Sequence, residues 1–135
     1  LPENVTLQWN WIDAYSKDEL AGMKASTSEH AEYPTTILKE YEVPGFPSIS
    51  EAGETIDNPV AEFLDTLDLA QSKGGSYKND FTHIYETLKK DNHSLTAENV
   101  KIIGVVVVGD KQQLASINDQ PYIKASCFGA IIDQY

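Results

Sequence analysis

Near the start of the chain, Val5, Leu7, Trp9 and Trp11 alternate with Thr6, Gln8 and Asn10. A period of two places the first four side chains on one face of an extended strand and the polar three on the other, the pattern of a half-buried strand. Both tryptophans of the protein fall in this run. Large aromatics dominate core packing, so Trp9 and Trp11 are expected as structural core anchors. The alternative is an exposed aromatic platform for a ligand. A short helix should follow over "SKDELAGMK", with Ser16 as its N-cap and Glu19 three residues on, the capping-box spacing. Residues 25–34 are polar and read as loop. Residues 35–43, "TTILKEYEV", predict a second strand, and a short third strand is expected near 46–50, ahead of a turn at Ala52-Gly53.

The periodicity then changes. Val60, Phe63, Leu64 and Leu67 recur at i, i+3, i+4 and i+7, which predicts an amphipathic helix. Asn58 suits its N-cap, Pro59 its first position, and Gly74-Gly75 its end. A second helix is expected from Asn79 to Lys90, with Phe81, Ile84, Tyr85 and Leu88 on its apolar face. The linking "SKGGSY" makes the pair an antiparallel hairpin laid on a sheet.

The last third opens on "VKIIGVVVVG". An apolar, β-branched run without alternation predicts a central strand buried on both faces. Asp110 should N-cap a short helix, with Gln113 at the capping-box position and Leu114 and Ile117 facing inward. "NDQPY" turns the chain, and "IKASCFGAIID" is expected to return as a strand. A connection of this length containing a helix suits a parallel βαβ crossover. Together these elements predict an α+β fold: a mixed β-sheet of about four or five strands, two longer helices packed on one face, and a C-terminal βαβ-like unit. The 135 residues suit a single domain, 1–135. The abrupt start at Leu1-Pro2, close to the first strand, raises the expectation that this is a fragment of a longer protein.

Charge narrows the possible partners. The net charge is −11 at pH 7, and residues 1–68 hold fourteen acids against three lysines, whereas residues 69–135 balance seven against seven. No arginine occurs, so bidentate guanidinium recognition of phosphate is out of reach. Nucleic acid and anionic membrane surfaces are both poor partners for such a chain. The acidic half is either a solvated, solubilising surface or a docking face for a basic partner. Its loop acids Glu29, Glu32, Glu51 and Glu54, outside the predicted helices, are the candidate docking residues. The single cysteine, Cys127, has no internal disulfide partner and is expected as a buried, inert thiol in the last strand.

Catalytic chemistry finds no motif. The three histidines, His30, His83 and His93, form neither HExxH nor an i, i+4 pair, and no CxxC or calcium loop occurs. There is no glycine-rich phosphate cradle and no GxSxG elbow. No cofactor and no metal are expected. Two classes stay open: a protein-binding or sensory module, and an enzyme without a readable motif.

Two stretches carry a resemblance. "VTLQWNWIDAYSKDEL" and "NVKIIGVVVVGDKQQLASINDQPYIKASCFGAIIDQY" are similar to the opening and closing blocks of the sigma factor regulator C-terminal domain. The likeness runs through the W-x-W-x-D-x-Y-S run at Trp9–Ser16, the apolar strand ending in Gly109, and the "PYIKAS" to D-x-Y ending at Pro121–Tyr135. Cys127 and Phe128 depart from its usual pattern of a small hydroxyl residue followed by an aliphatic one. The resemblance implies the extracytoplasmic sensory or regulatory domain of a membrane-anchored anti-sigma factor of Gram-positive bacteria. It further implies a single-pass protein whose missing cytoplasmic part binds the sigma factor, while this non-catalytic domain meets an unknown extracytoplasmic protein or envelope signal. It also implies that the tryptophan pair faces inward. The alternative is a secreted ligand-binding or enzymatic domain.

Overall fold

The computed structural model describes residues 1–2, 4–26, 43–73, 75–90, 92–118 and 120–127. Within them the chain is α+β. Its elements run β1 (Thr6–Ile12), α1 (Lys17–Ser26), β2 (Gly45–Pro47), α2 (Pro59–Lys73), α3 (Lys78–Lys89), a single 3₁₀ turn (Ala97–Asn99), β3 (Ile102–Val108) and α4 (Lys111–Asn118). The predicted strand at 35–43 lies outside the described residues.

Helix starts follow local chemistry. The Ser16 N–H donates to Glu19 Oε2 at 2.7 Å and the Glu19 N–H to Ser16 Oγ at 3.2 Å, a reciprocal box that satisfies two orphan donors of α1. Asn58 Oδ1 accepts from the Ala61 N–H at 3.2 Å, and Pro59 opens α2. Asp110 Oδ1 accepts from the N–H groups of Gln112 and Gln113 at 2.9 and 3.0 Å, which starts α4. The expected reciprocal bond from Gln113 does not form, and its side-chain oxygen is buried without a partner.

The three described strands pair in the order β2-β1-β3, both pairings antiparallel. Two expectations are corrected here. First, β1 rather than β3 is the middle strand among the described residues. Ile102, Ile103, Val105 and Val108 are each between 45% and 57% exposed. Among the described residues β3 is bonded along one edge, to β1, and in the run expected to be buried on both faces these four side chains are about half exposed. The parallel partner expected for it falls at residues 123–133, of which 128–133 lie outside the described residues and 123–127 form no strand.

Second, the inner face of β1 is not the expected one. Trp9 and Trp11 are half-buried, whereas Asn10 and Ile12 are buried, Ile12 fully. The cause is a register shift between Leu7 and Trp9: Leu7 pairs with Val107, but Trp9 pairs with Val106, so Gln8 is an extra residue. An inserted residue reverses the alternation beyond it, and every later side chain changes face.

The hydrophobic cluster is built without the indoles. It joins Ile12 at the end of β1 and Ala14 just beyond it, Phe46 of β2, Phe63 and Leu67 of α2, and Leu88 of α3. Phe46 and Phe63 stack with ring centroids 4.9 Å apart. Val60, Phe81, Ile84 and Tyr85 pack around the cluster, so the apolar stripes of both longer helices face it, as their i, i+3, i+4 spacing requires.

Candidate functional site

Two surfaces carry the residues singled out by sequence. The first is an acidic turn. The Ser48 N–H donates to the Gln8 carbonyl at 2.9 Å and the Ile56 N–H to the Ser48 carbonyl at 3.0 Å, which closes a loop from 48 to 56 at the end of β2. Inside it, the N–H groups of Ser50 and Gly53 bond the carbonyls of Glu54 and Ser50 at 2.8 and 2.9 Å. The Glu54 N–H also donates to Ser50 Oγ at 3.2 Å. Gly53 turns the chain at φ +82°, a conformation that glycine adopts without a Cβ clash. Glu51 and Glu54 stand exposed on this turn. Its stem is fixed from below: buried Asn10 donates through Nδ2 to Ser48 Oγ at 2.6 Å and to the Phe46 carbonyl at 3.4 Å. A buried amide of this kind costs free energy unless it is bonded, so the pair favours one placement of the turn over β1. Glu29 and Glu32 lie outside the described residues, so the structure joins only two of the four candidate acids on one element. Asn10 had read as a solvent-facing position, and no signal short of the register shift would have identified it.

The second surface holds the tryptophans. Trp11 Nε1 donates to the Tyr15 hydroxyl at 2.9 Å, and the two rings meet edge to face at 6.5 Å. Burial pushes the Tyr15 hydroxyl above its ordinary pKa, with Glu19 and Asp13 adding to the effect and the Trp11 bond opposing it. The indoles lie over glycines of both neighbouring strands. A Cβ on Gly104 would sit 2.7 Å from Trp11 Cε3, and one on Gly45 would meet the Asn10 carbonyl and Trp9 Nε1. Trp9 Nε1 is buried with no hydrogen-bond partner.

Chemistry beyond these surfaces is sparse. Among the described residues no three His, Cys, Asp or Glu side chains are placed to hold a metal ion. Two open depressions are lined by described residues. A polar one of 430 Å³ is lined by Asn92, His93, Ser94, Thr96, Glu98 and Asn99, and one of 410 Å³ runs between the start of β1 and the 48–56 loop. His83 Nε2 lies 3.2 Å from both carboxylate oxygens of Glu19, which ties α3 to α1. Cys127 is exposed rather than buried, because residues 123–127 form no strand.

The Glu19 contacts have a measurable consequence. Hydrogen bonds from the Ser16 side chain and backbone hold the Glu19 carboxyl below its ordinary pKa, and His83 adds to the effect. A lowered folded-state pKa contributes stability above the unfolded value, and that contribution is lost as pH falls through the folded one. Glu19→Gln is therefore expected to destabilise at neutral pH by less than about 1 kcal/mol, since the group is largely exposed and solvent screens it. The difference from wild type should vanish in acid. Urea titrations at the two pH values measure it, and a difference that persists in acid would assign the effect to packing instead.

A family model described as sigma factor regulator C-terminal matches residues 1–130. No curated protein matches, and no solved structure matches.

Proposed function

This chain belongs to the sigma factor regulator C-terminal family, and from that membership we propose that it is the extracytoplasmic sensory or regulatory domain of a membrane-anchored anti-sigma factor. Membership itself carries a role in sigma factor regulation. The finer reading is that the sigma factor is held by another, cytoplasmic part of the protein, while this domain receives an envelope signal or a protein partner and performs no catalysis. The observation that carries it is the family match across nearly the whole chain. An acidic chain without arginine supports it, being poorly suited to DNA or lipid headgroups. No described helix is long and apolar enough to cross a membrane.

Cys127 supplies the test, because its thiol is exposed. Intact cells carrying the full-length protein are treated with a membrane-impermeant maleimide. Labelling before lysis, retained in the membrane fraction and lost in Cys127→Ser, is the expected result. Labelling only after permeabilisation would refute the extracytoplasmic assignment, and labelled protein in the medium would favour a secreted domain.

Glu51 and Glu54 are the described residues best placed for docking, since a firmly bonded turn presents them with little further ordering on binding. Glu29 and Glu32 extend the same proposal. Exposed charges are screened within about 8 Å at physiological salt, so association through this face should weaken as salt rises. Glu51→Lys with Glu54→Lys should abolish capture of a basic extracytoplasmic partner in a pull-down. Unchanged, salt-insensitive capture would move the docking face elsewhere.

A further inference from the structure

The depression of 410 Å³ beside the 48–56 loop combines an apolar lining with acidic neighbours. Val5 and Leu7 line it from the β1 side, and Ile49, Ile56 and Pro59 from the loop and the first position of α2. Among the described residues its polar side chains are hydroxyls alone, of Thr6, Ser48 and Thr55. Its volume falls within the range of about 300–1,000 Å³ that ligand clefts occupy. Ser48 is 7% exposed, and its hydroxyl accepts from Asn10 but donates to no described residue. A hydroxyl carries one donor, so one is left unspent at the cleft.

Charge selects the occupant. Glu51 and Glu54 stand on the loop that forms one wall, and Asp57 lies between Ile56 and Pro59 in the chain. All three are exposed, and none is paired with a described cation. From residue 43 to residue 72 the chain carries six acids and no lysine, so nothing on this stretch neutralises them. An apolar cleft accepts any aliphatic group, but unneutralised acids beside it repel an acidic partner and attract a basic one. We propose that this cleft seats an aliphatic side chain of a partner protein whose flanking residues are lysine or arginine. The proposal rests on the acidic docking face described above and deepens it: the acids steer the partner, and the cleft holds its anchor. The wall is fixed before binding, because Ser48 is bonded to Gln8, Asn10 and Ile56, so little ordering opposes association.

Three labelled peptides test it, each titrated into the chain and followed by fluorescence anisotropy. KKLVLKK carries anchor and charge, KKSGSKK keeps the charge without the anchor, and EELVLEE keeps the anchor with the charge reversed. KKLVLKK is expected to bind about tenfold more tightly than KKSGSKK, the gain from burying one aliphatic side chain. EELVLEE should not bind. Thr55→Trp, at an exposed lining position, should fill the cleft and remove the tenfold difference while KKSGSKK still binds. Should that variant fail to fold, methyl resonances of the intact chain decide: KKLVLKK should shift Leu7, Ile49 and Ile56 and leave Leu69 of α2 unmoved. Equal binding of KKLVLKK and KKSGSKK would overturn the cleft and leave the acidic docking face standing. EELVLEE binding as tightly as KKLVLKK would overturn both, as would no binding by either basic peptide. A tenfold advantage that survives in folded Thr55→Trp would place the anchor elsewhere. Self-association of the chain that Thr55→Trp abolishes would give the cleft to a second copy. Binding lost in the full-length protein would give it to another segment of that protein. Either of these last results overturns the proposal.

Discussion

Replacing Phe46 with alanine is expected to lower the unfolding free energy by about 3–5 kcal/mol, the usual cost of removing a buried phenylalanine. Phe46 is 2% exposed and stacks on Phe63 of α2. It belongs to a strand of only three residues, yet it joins β2 to the cluster that also holds Ile12, Leu67 and Leu88. Truncation removes the ring and leaves a cavity between β2 and α2 that α2 can fill only by shifting toward the sheet. The midpoint of thermal unfolding should fall by roughly 10–20 °C. Leu69→Ala, on the half-exposed side of α2, is the control and should stay within about 0.5 kcal/mol. Comparable losses in the two variants would mean that the cluster around Phe46 is not the principal core.

A second large effect is expected one residue earlier, from adding a single methyl group. Gly45→Ala should destabilise by about 1–3 kcal/mol, the cost of overpacking a filled site. The new Cβ would collide with the backbone carbonyl of Asn10 and with Trp9 Nε1. A carbonyl fixed in the sheet cannot rotate away as a side chain would, so relief requires β1 and β2 to separate. Their pairing covers three residue pairs, Trp9 with Pro47, Asn10 with Phe46 and Trp11 with Gly45, and offers little reserve. The displaced strand would also pull the Phe46 carbonyl and Ser48 from the Asn10 amide, loosening the acidic turn. The opposite sign is expected at Gly22. A Cβ there meets nothing within 4 Å, and alanine within α1 should stabilise by about 0.4–1 kcal/mol. Chemical denaturation of both variants checks the pair. A neutral Gly45→Ala would mean that β2 is not held at this separation.

What the sequence alone determined is chiefly local. Ser16 with Glu19, Asn58 with Pro59, and Asp110 each start the helix expected of them, because a cap is completed within three residues and needs no distant partner. The apolar stripes of α2 and α3 are legible for the same reason, since i, i+3 and i+4 neighbours share a face whatever lies opposite. Family resemblance was legible too, through runs of residue identity that require no geometry. Strand neighbours and strand faces were decided only by the tertiary structure. The alternation of β1 is clear in sequence, but the extra residue at Gln8 exists only through its pairing with β3, about a hundred positions away. That one insertion exchanges the roles of Trp11 and Asn10. It leaves the indoles half-buried over glycines and turns the amide inward to a serine 38 residues distant. β3 carries the same lesson. Its composition states that it seeks burial, while the strands that lie beside it depend on contacts no local pattern encodes.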